Sequence, residues 1–283
     1  MAEASAYTMA ETLHVTGGNG INYAYRQVGN DDAEPLLLLQ HFRGNLDNWD
    51  RALIDTLAAG RRVIVFDNVG VGATTGTTPA SIGDMAQDAI TFIDTLNLSH
   101  VDVLGFSIGS FIAQEIALTR PALIRKIILA SAAPQGAPGM HGWVSDIIDA
   151  VGAPQVNADG VLHAFFRDSP TSRAAGTAYL HRLAERSTDR DQPTTWHTRN
   201  AQYDAVLKWG TPNLSLLQRV TAITQPVFVT NGDDDRMIQP WYSHLLHNLL
   251  PQSHIKLYPD SAHGFLFQHS AEFSTDVLKF LND

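Results

Sequence analysis

The chain has 283 residues, a formal net charge of −10 and no cysteine. The missing cysteines exclude a disulfide framework and thiolate chemistry, and the acidic balance leaves no electrostatic footprint for a nucleic-acid backbone. No apolar stretch reaches the roughly 18–20 residues of a membrane span. The opening MAEASAYTMAETLHV lacks the basic start and apolar core of a signal peptide, so a cytoplasmic protein without a membrane partner is expected.

In chain order, INYAYRQV (21–28) alternates as a half-buried strand does. PLLLLQ (35–40), RVIVFD (62–67), VDVLGF (101–106), RKIILA (125–130), PVFVTN (226–231) and HIKLYP (254–259) are more continuously apolar. Such runs fit strands covered on both faces of a parallel sheet. Helices are predicted over 46–59, 81–97, 108–119, 240–249 and 271–281, with Ser81 and Asp84 spaced as a cap. Strands alternating with helices point to an α/β fold. From about 134 to 215 the rhythm breaks, and about 80 residues read as helices joined by Pro, Gly and Thr. That is small for an independent core, so a lid lying on the sheet domain is expected.

Gly105-Phe106-Ser107-Ile108-Gly109 ends a predicted strand and opens a predicted helix. The bland reading is a tight turn built of small residues. The sharper one is a nucleophile elbow, G-x-S-x-G, with Ser107 at the strained apex and glycines where side chains would collide. The helix N-terminus there places partial positive charge where an oxyanion forms. A serine hydroxyl needs a base. Of twelve histidines, His263 in YPDSAHGFLF follows the last predicted strand, at the sheet edge where α/β folds bind ligands. His14, His100 and His254 suit surface or packing roles, and His244 with His247 lacks a third metal ligand. The acid that orients the base is sought in NGDDDRM: Asp235 first, Asp233 as runner-up, and Asp234 toward solvent.

With Asp67-Asn68-Val69-Gly70-Val71-Gly72 in place after the strand at 62–67, the chain resembles the α/β-hydrolase fold superfamily, in particular its small esterase, haloperoxidase-like and C–C-bond hydrolases. The resemblance covers nearly the whole chain, most clearly 21–131 and 226–281. It implies a mostly parallel eight-stranded sheet flanked by helices, with a helical lid between strands 6 and 7. The core would be 1–133 with 216–283, and the cap 134–215. Family members carry His-Gly-aromatic after the third strand, and the aromatic N–H is an oxyanion donor. Aligning Phe42, Gly44 and Trp49 puts Phe42 there, with Gln40 and His41 standing where His-Gly is usual. Phe42 N–H and Ile108 N–H would form the hole, and the triad order Ser107, Asp235, His263 is the family's.

The expected reaction is acyl transfer to water through an acyl-enzyme, with a small molecule as partner and no metal or organic cofactor. Cap residues Trp143, Phe165, Phe166, Tyr179, Trp196, Tyr203 and Trp209 would either line an apolar pocket or pack the cap. Arg43 would either meet a substrate carboxylate or lie in solvent. An ester hydrolase is the first expectation. A C–C-bond hydrolase, a perhydrolase and a non-catalytic binding protein of the same fold are the alternatives. Serine at the nucleophile position argues against the dehalogenases and epoxide hydrolases of this fold, which use aspartate.

Overall fold

The structure is a computed structural model that describes residues 6–283; the first five residues of the opening stretch lie outside it. Eight strands form one sheet: β1 (Leu13–Thr16), β2 (Asn22–Val28), β3 (Pro35–Leu39), β4 (Arg62–Phe66), β5 (Val101–Phe106), β6 (Ile124–Ala130), β7 (Val227–Gly232) and β8 (Ser253–Tyr258). The order is β1-β2-β4-β3-β5-β6-β7-β8. β1 and β2 pair antiparallel, as do β2 and β4, and every other pairing is parallel. The continuously apolar runs are the central strands, and β5 and β7 are buried along their whole length. β1 is the eighth strand that the resemblance implies, and no run of the sequence is assigned to it. Its LHVT is short and largely exposed at the sheet edge, so it carries no alternation to detect.

The helices are α1 (Ala6–Met9), α2 (Arg51–Ala58), α3 (Ile82–Thr95), α4 (Ile108–Thr119), α5 (Ser145–Val151), α6 (Ala158–Phe165), α7 (Pro170–Leu183), α8 (Trp196–Trp209), α9 (Leu214–Gln218), α10 (Trp241–Leu249), α11 (Phe265–Gln268) and α12 (Ser270–Asn282). Ser81 caps α3 through the Asp84 N–H. The single helix expected over 46–59 is broken in two. Asn45 and Asn48 close a capping box around a 3₁₀ turn at Leu46–Asn48, and the Asp50 side chain then accepts the Ala52 N–H and starts α2. Short polar side chains that bond nearby N–H groups offer the backbone an alternative to continuous helix. Among the described residues no helix is long and apolar enough to cross a membrane.

α5 to α9 fall between β6 and β7. They seat on the sheet layer through named contacts. Arg182 bonds Asp50 at 2.5 and 2.8 Å, Tyr179 Oη donates to Asn48 O at 3.0 Å, and Ser172 Oγ donates to Gln268 Oε1 at 2.6 Å. Most aromatic residues of this segment pack. Trp209 stacks on Phe111 at 5.1 Å, Tyr179 on Phe267 at 4.5 Å, and Trp143 meets Phe42 edge-on at 5.1 Å. Trp196 is about half exposed under Arg199. Only Phe165 of the seven reaches the main cavity.

Candidate active site

The candidate residues gather at the carboxyl ends of the parallel strands. After β5 the chain turns at Ser107, which has φ 57° and ψ −121°, a region that L-residues occupy only under constraint. The constraint is visible: Ser107 N–H donates to Ala130 O at 3.0 Å, and Ser107 O accepts from Ser110 N at 2.8 Å and Ser110 Oγ at 2.5 Å. A Cβ on Gly109 would stand 2.1 Å from Leu39 O, and one on Gly105 2.4 Å from Gly109 O. Both obstacles are backbone, so both positions exclude any side chain.

His263 lies in the loop after β8 and Asp235 in the loop after β7. His263 Nδ1 meets Asp235 Oδ2 at 2.8 Å, both side chains being buried. Asp235 Oδ1 accepts Met237 N–H at 2.8 Å and Ile238 N–H at 3.0 Å. With every Asp235 acceptor pointed at a donor, Nδ1 carries the ring proton and Nε2 presents a lone pair. That Nε2 has no partner, and Ser107 and His263 line the same cavity without a direct hydrogen bond. Bonds of this kind are often long until the transition state tightens them. Of the three consecutive aspartates only Asp235 reaches the imidazole. Asp233 accepts Ser261 N–H at 3.1 Å and holds the turn, while Asp234 is half exposed and pairs with Arg167 at 3.3 Å.

The loop after β3 borders the same cavity. His41 N–H donates to Gln40 Oε1 (2.9 Å), and His41 O accepts Gly44 N–H (2.9 Å). Phe42 O accepts His41 Nδ1–H (2.8 Å). Arg43 N–H donates to Gln202 Oε1 (2.6 Å), and Arg43 O accepts Thr194 Oγ1–H (2.5 Å). Across residues 41–43 the one main-chain polar group without a protein partner among the described residues is Phe42 N–H. Ile108 is the first residue of α4, and its N–H is one of those a helix cannot satisfy internally.

His41 was expected only as a departure from His-Gly. It is a cavity residue, and burial drives its pKa down to about 3, against the Phe42 carbonyl and with a further push from His263. The imidazole is therefore neutral at any ordinary pH. Arg43 borders the cavity and is not free in solvent. Its guanidinium donates to Val151 O (3.2 Å), Ala153 O (2.6 Å) and Pro154 O (3.0 Å), carbonyls at and beyond the end of α5. No sequence signal pairs it with residues more than a hundred positions away.

The cavity holds about 620 Å³, the scale of a small-molecule site. Its lining is mixed: Val151, Val161, Phe165 and Met237 are apolar, and Asn48, Asp191, Arg43 and Arg190 are polar or charged. Asp191 meets Asp67 beside Gly72: a Cβ there would stand 2.1 Å from Asp67 Oδ2 and 2.9 Å from Asp191 Cγ. Burial raises both carboxyls, and then Asp191 raises Asp67 while Asp47 raises Asp191. Burial and mutual repulsion keep a proton on this pair to higher pH than either carboxyl would hold alone. In the unfolded chain both groups return to the ordinary carboxylate range. The stability drawn from that proton is therefore complete below this range and is lost as pH rises through the higher folded value. Asp191→Asn supplies a permanent donor. We expect its melting temperature, relative to wild type, to gain as pH rises from the ordinary carboxylate range upward. Thermal melts across that range check this, and a constant difference contradicts it.

Comparison with known proteins agrees with this fold. The profile of the alpha/beta hydrolase fold matches residues 34–270. The chain belongs to the α/β-hydrolase fold family. A solved alpha/beta hydrolase fold protein from Chitinophaga pinensis is 41% identical, with 98% of this chain and 99% of that one covered and a TM-score of 0.92. A non-heme chloroperoxidase of Burkholderia pyrrocinia is 25% identical over 284 residues, covering 95% of this chain and 98% of its own. The enol-lactonase of Burkholderia xenovorans LB400 shares the fold, with a TM-score of 0.78 at 18% identity over 96% of this chain and 100% of that one. Sequence reading had placed the chain in this superfamily, and the eight-stranded, mostly parallel sheet agrees with it.

Proposed function

We propose that the protein is a serine hydrolase that cleaves an ester or similar acyl bond of a small to medium substrate. One observation carries the reading: His263, its proton held on Nδ1 by Asp235 and its Nε2 unpartnered, borders the same cavity as Ser107. Ser107 Oγ attacks the acyl carbon as His263 Nε2 takes its proton. Asp235 stabilises the imidazolium that forms and remains ionised itself. The oxyanion falls to Phe42 N–H and Ile108 N–H, and one such donor is worth ~3 kcal/mol of barrier. His263 returns the proton to the leaving group, then takes one from the water that hydrolyses the acyl-enzyme. No residue in these steps calls for a metal or an organic cofactor. In this reading 134–215 is the cap and 1–133 with 216–283 the core. Against the mostly apolar pocket expected from sequence, the mixed lining favours a substrate with both apolar and polar parts.

Perhydrolysis is the second reading, favoured by the likeness to the Burkholderia pyrrocinia chloroperoxidase. Hydrogen peroxide replaces water on the acyl-enzyme and leaves as a peracid, which oxidises bromide and reverts to the acid. A panel of p-nitrophenyl esters and lactones, and a 1,5-diketone, with and without peroxide and bromide, separates the readings. Turnover of esters in water is expected. Cleavage of the diketone alone assigns a C–C-bond hydrolase, and no turnover with any member assigns a binding protein.

A further inference from the structure

The unpartnered Phe42 N–H sits between two immobilised peptides, and half of that immobilisation comes from the segment between β6 and β7. On one side the Gln40–His41 peptide is tied to the Gln40 side chain. On the other, the Phe42–Arg43 peptide is held at its carbonyl by His41 and at its amide by Gln202 of α8. Arg43 has φ 64°, a left-handed conformation uncommon for a residue with a side chain. Such a conformation persists where its surroundings over-determine it, and here they do. Gln202 holds its amide, Thr194 its carbonyl, and three carbonyls at and beyond the end of α5 its guanidinium. Gln202 itself is fully buried, and its Nε2 has no partner. Its acceptor oxygen is the only polar function it exercises, and it exercises it on this loop.

We propose that Gln202 is a positioning residue: by accepting the Arg43 N–H it aims the Phe42 N–H at the oxyanion, so that the helical insertion completes the oxyanion hole. This rests on the hydrolase reading above. Phe42 N–H lies in the same planar peptide as His41 O, which Gly44 N–H holds; that bond closes a turn over Phe42 and Arg43, and Gln202 keeps Arg43 in the left-handed conformation the turn uses. A donor turned away stabilises the transition state less while ground-state contacts elsewhere in the cavity persist. Gln202 touches no reacting atom in this account.

The test compares Gln202→Leu, which removes the acceptor at similar volume, with Gln202→Glu, which keeps it. Ester turnover is normalised to Ser107 labelled by a fluorophosphonate. Affinity for a trifluoromethyl ketone, which adds to the serine and forms an oxyanion, is measured alongside. For Gln202→Leu we expect kcat per labelled serine to fall at least fivefold with KM within threefold, and the ketone to bind correspondingly more weakly. Gln202→Glu should recover both. A purely structural role would lower the melting temperature and the labelled fraction and leave kcat per labelled serine unchanged. A loss below fivefold in Gln202→Leu, or a Glu variant no better than the Leu variant, overturns the proposal. If Gln202→Leu does not fold, Thr194→Val removes only the donor to Arg43 O. It should lower the same kcat at least twofold, and a smaller effect overturns the proposal. Wild-type protein that neither turns over esters nor labels at Ser107 overturns the hydrolase reading itself. Wild-type turnover with an unaffected Gln202→Leu overturns the clamp alone.

Discussion

Replacing Ser107 by alanine is expected to lower kcat for ester hydrolysis by ~10⁴–10⁶-fold, the range seen when a serine nucleophile is removed from an intact triad and oxyanion hole. The residual rate would come from the hole and from substrate binding, which the substitution leaves in place. The same change should leave the fold intact. Ser107 is buried, but its hydroxyl makes no hydrogen bond; the backbone at 107 is held by Ala130 O and by Ser110. Alanine keeps those bonds and the Cβ. Steady-state kinetics together with a thermal melt check both halves. Near-full activity in Ser107→Ala would mean that another group attacks. A large fall in melting temperature would mean that the lost activity reports unfolding.

Asp235→Asn is the second large effect, at ~10⁴-fold in kcat, through the tautomer rather than the charge alone. An asparagine at 235 must keep its oxygen toward the Met237 and Ile238 N–H groups, since they can only donate. Its NH₂ then faces His263 Nδ1. The imidazole responds by accepting at Nδ1 and carrying its proton on Nε2, where it can no longer take one from Ser107. Asp233→Asn, one turn away, should leave kcat within a few-fold, because that carboxylate serves Ser261 N–H and the loop. Measuring the two variants side by side decides between them. If Asp233→Asn were the damaging change and Asp235→Asn mild, the orienting role would pass to Asp233.

Much of this was legible in the sequence because it rests on local pattern. Continuous apolar runs marked the central strands, and Gly-x-Ser-x-Gly at a strand-to-helix junction marked the elbow, where Leu39 O and Gly109 O leave no room for a Cβ. His263 was found because it follows the last strand. The choice among Asp233, Asp234 and Asp235 was harder, since three identical side chains in a row differ only in direction, and direction is set by the Met237 and Ile238 amides. The break in the helix expected over 46–59 turned on side-chain caps at Asn45 and Asp50, which compete with the helix on nearly equal terms. What sequence could not carry at all are contacts between distant segments. Arg43 with the end of α5, Gln202 with the Arg43 amide, and Asp67 with Asp191 each join residues more than a hundred positions apart. No periodicity records them, and they shape the loop that carries Phe42 N–H and the lining of the cavity.

The central claim is that Ser107 forms a covalent bond to the acyl group. Peptide mass spectrometry after incubation with a fluorophosphonate addresses it most directly, with wild type beside His263→Ala. The account predicts a single adduct on the peptide that contains Ser107, formed rapidly in wild type and far more slowly without the imidazole. An adduct on another residue, or ester turnover that continues with Ser107 unmodified after complete reaction with the probe, would contradict it.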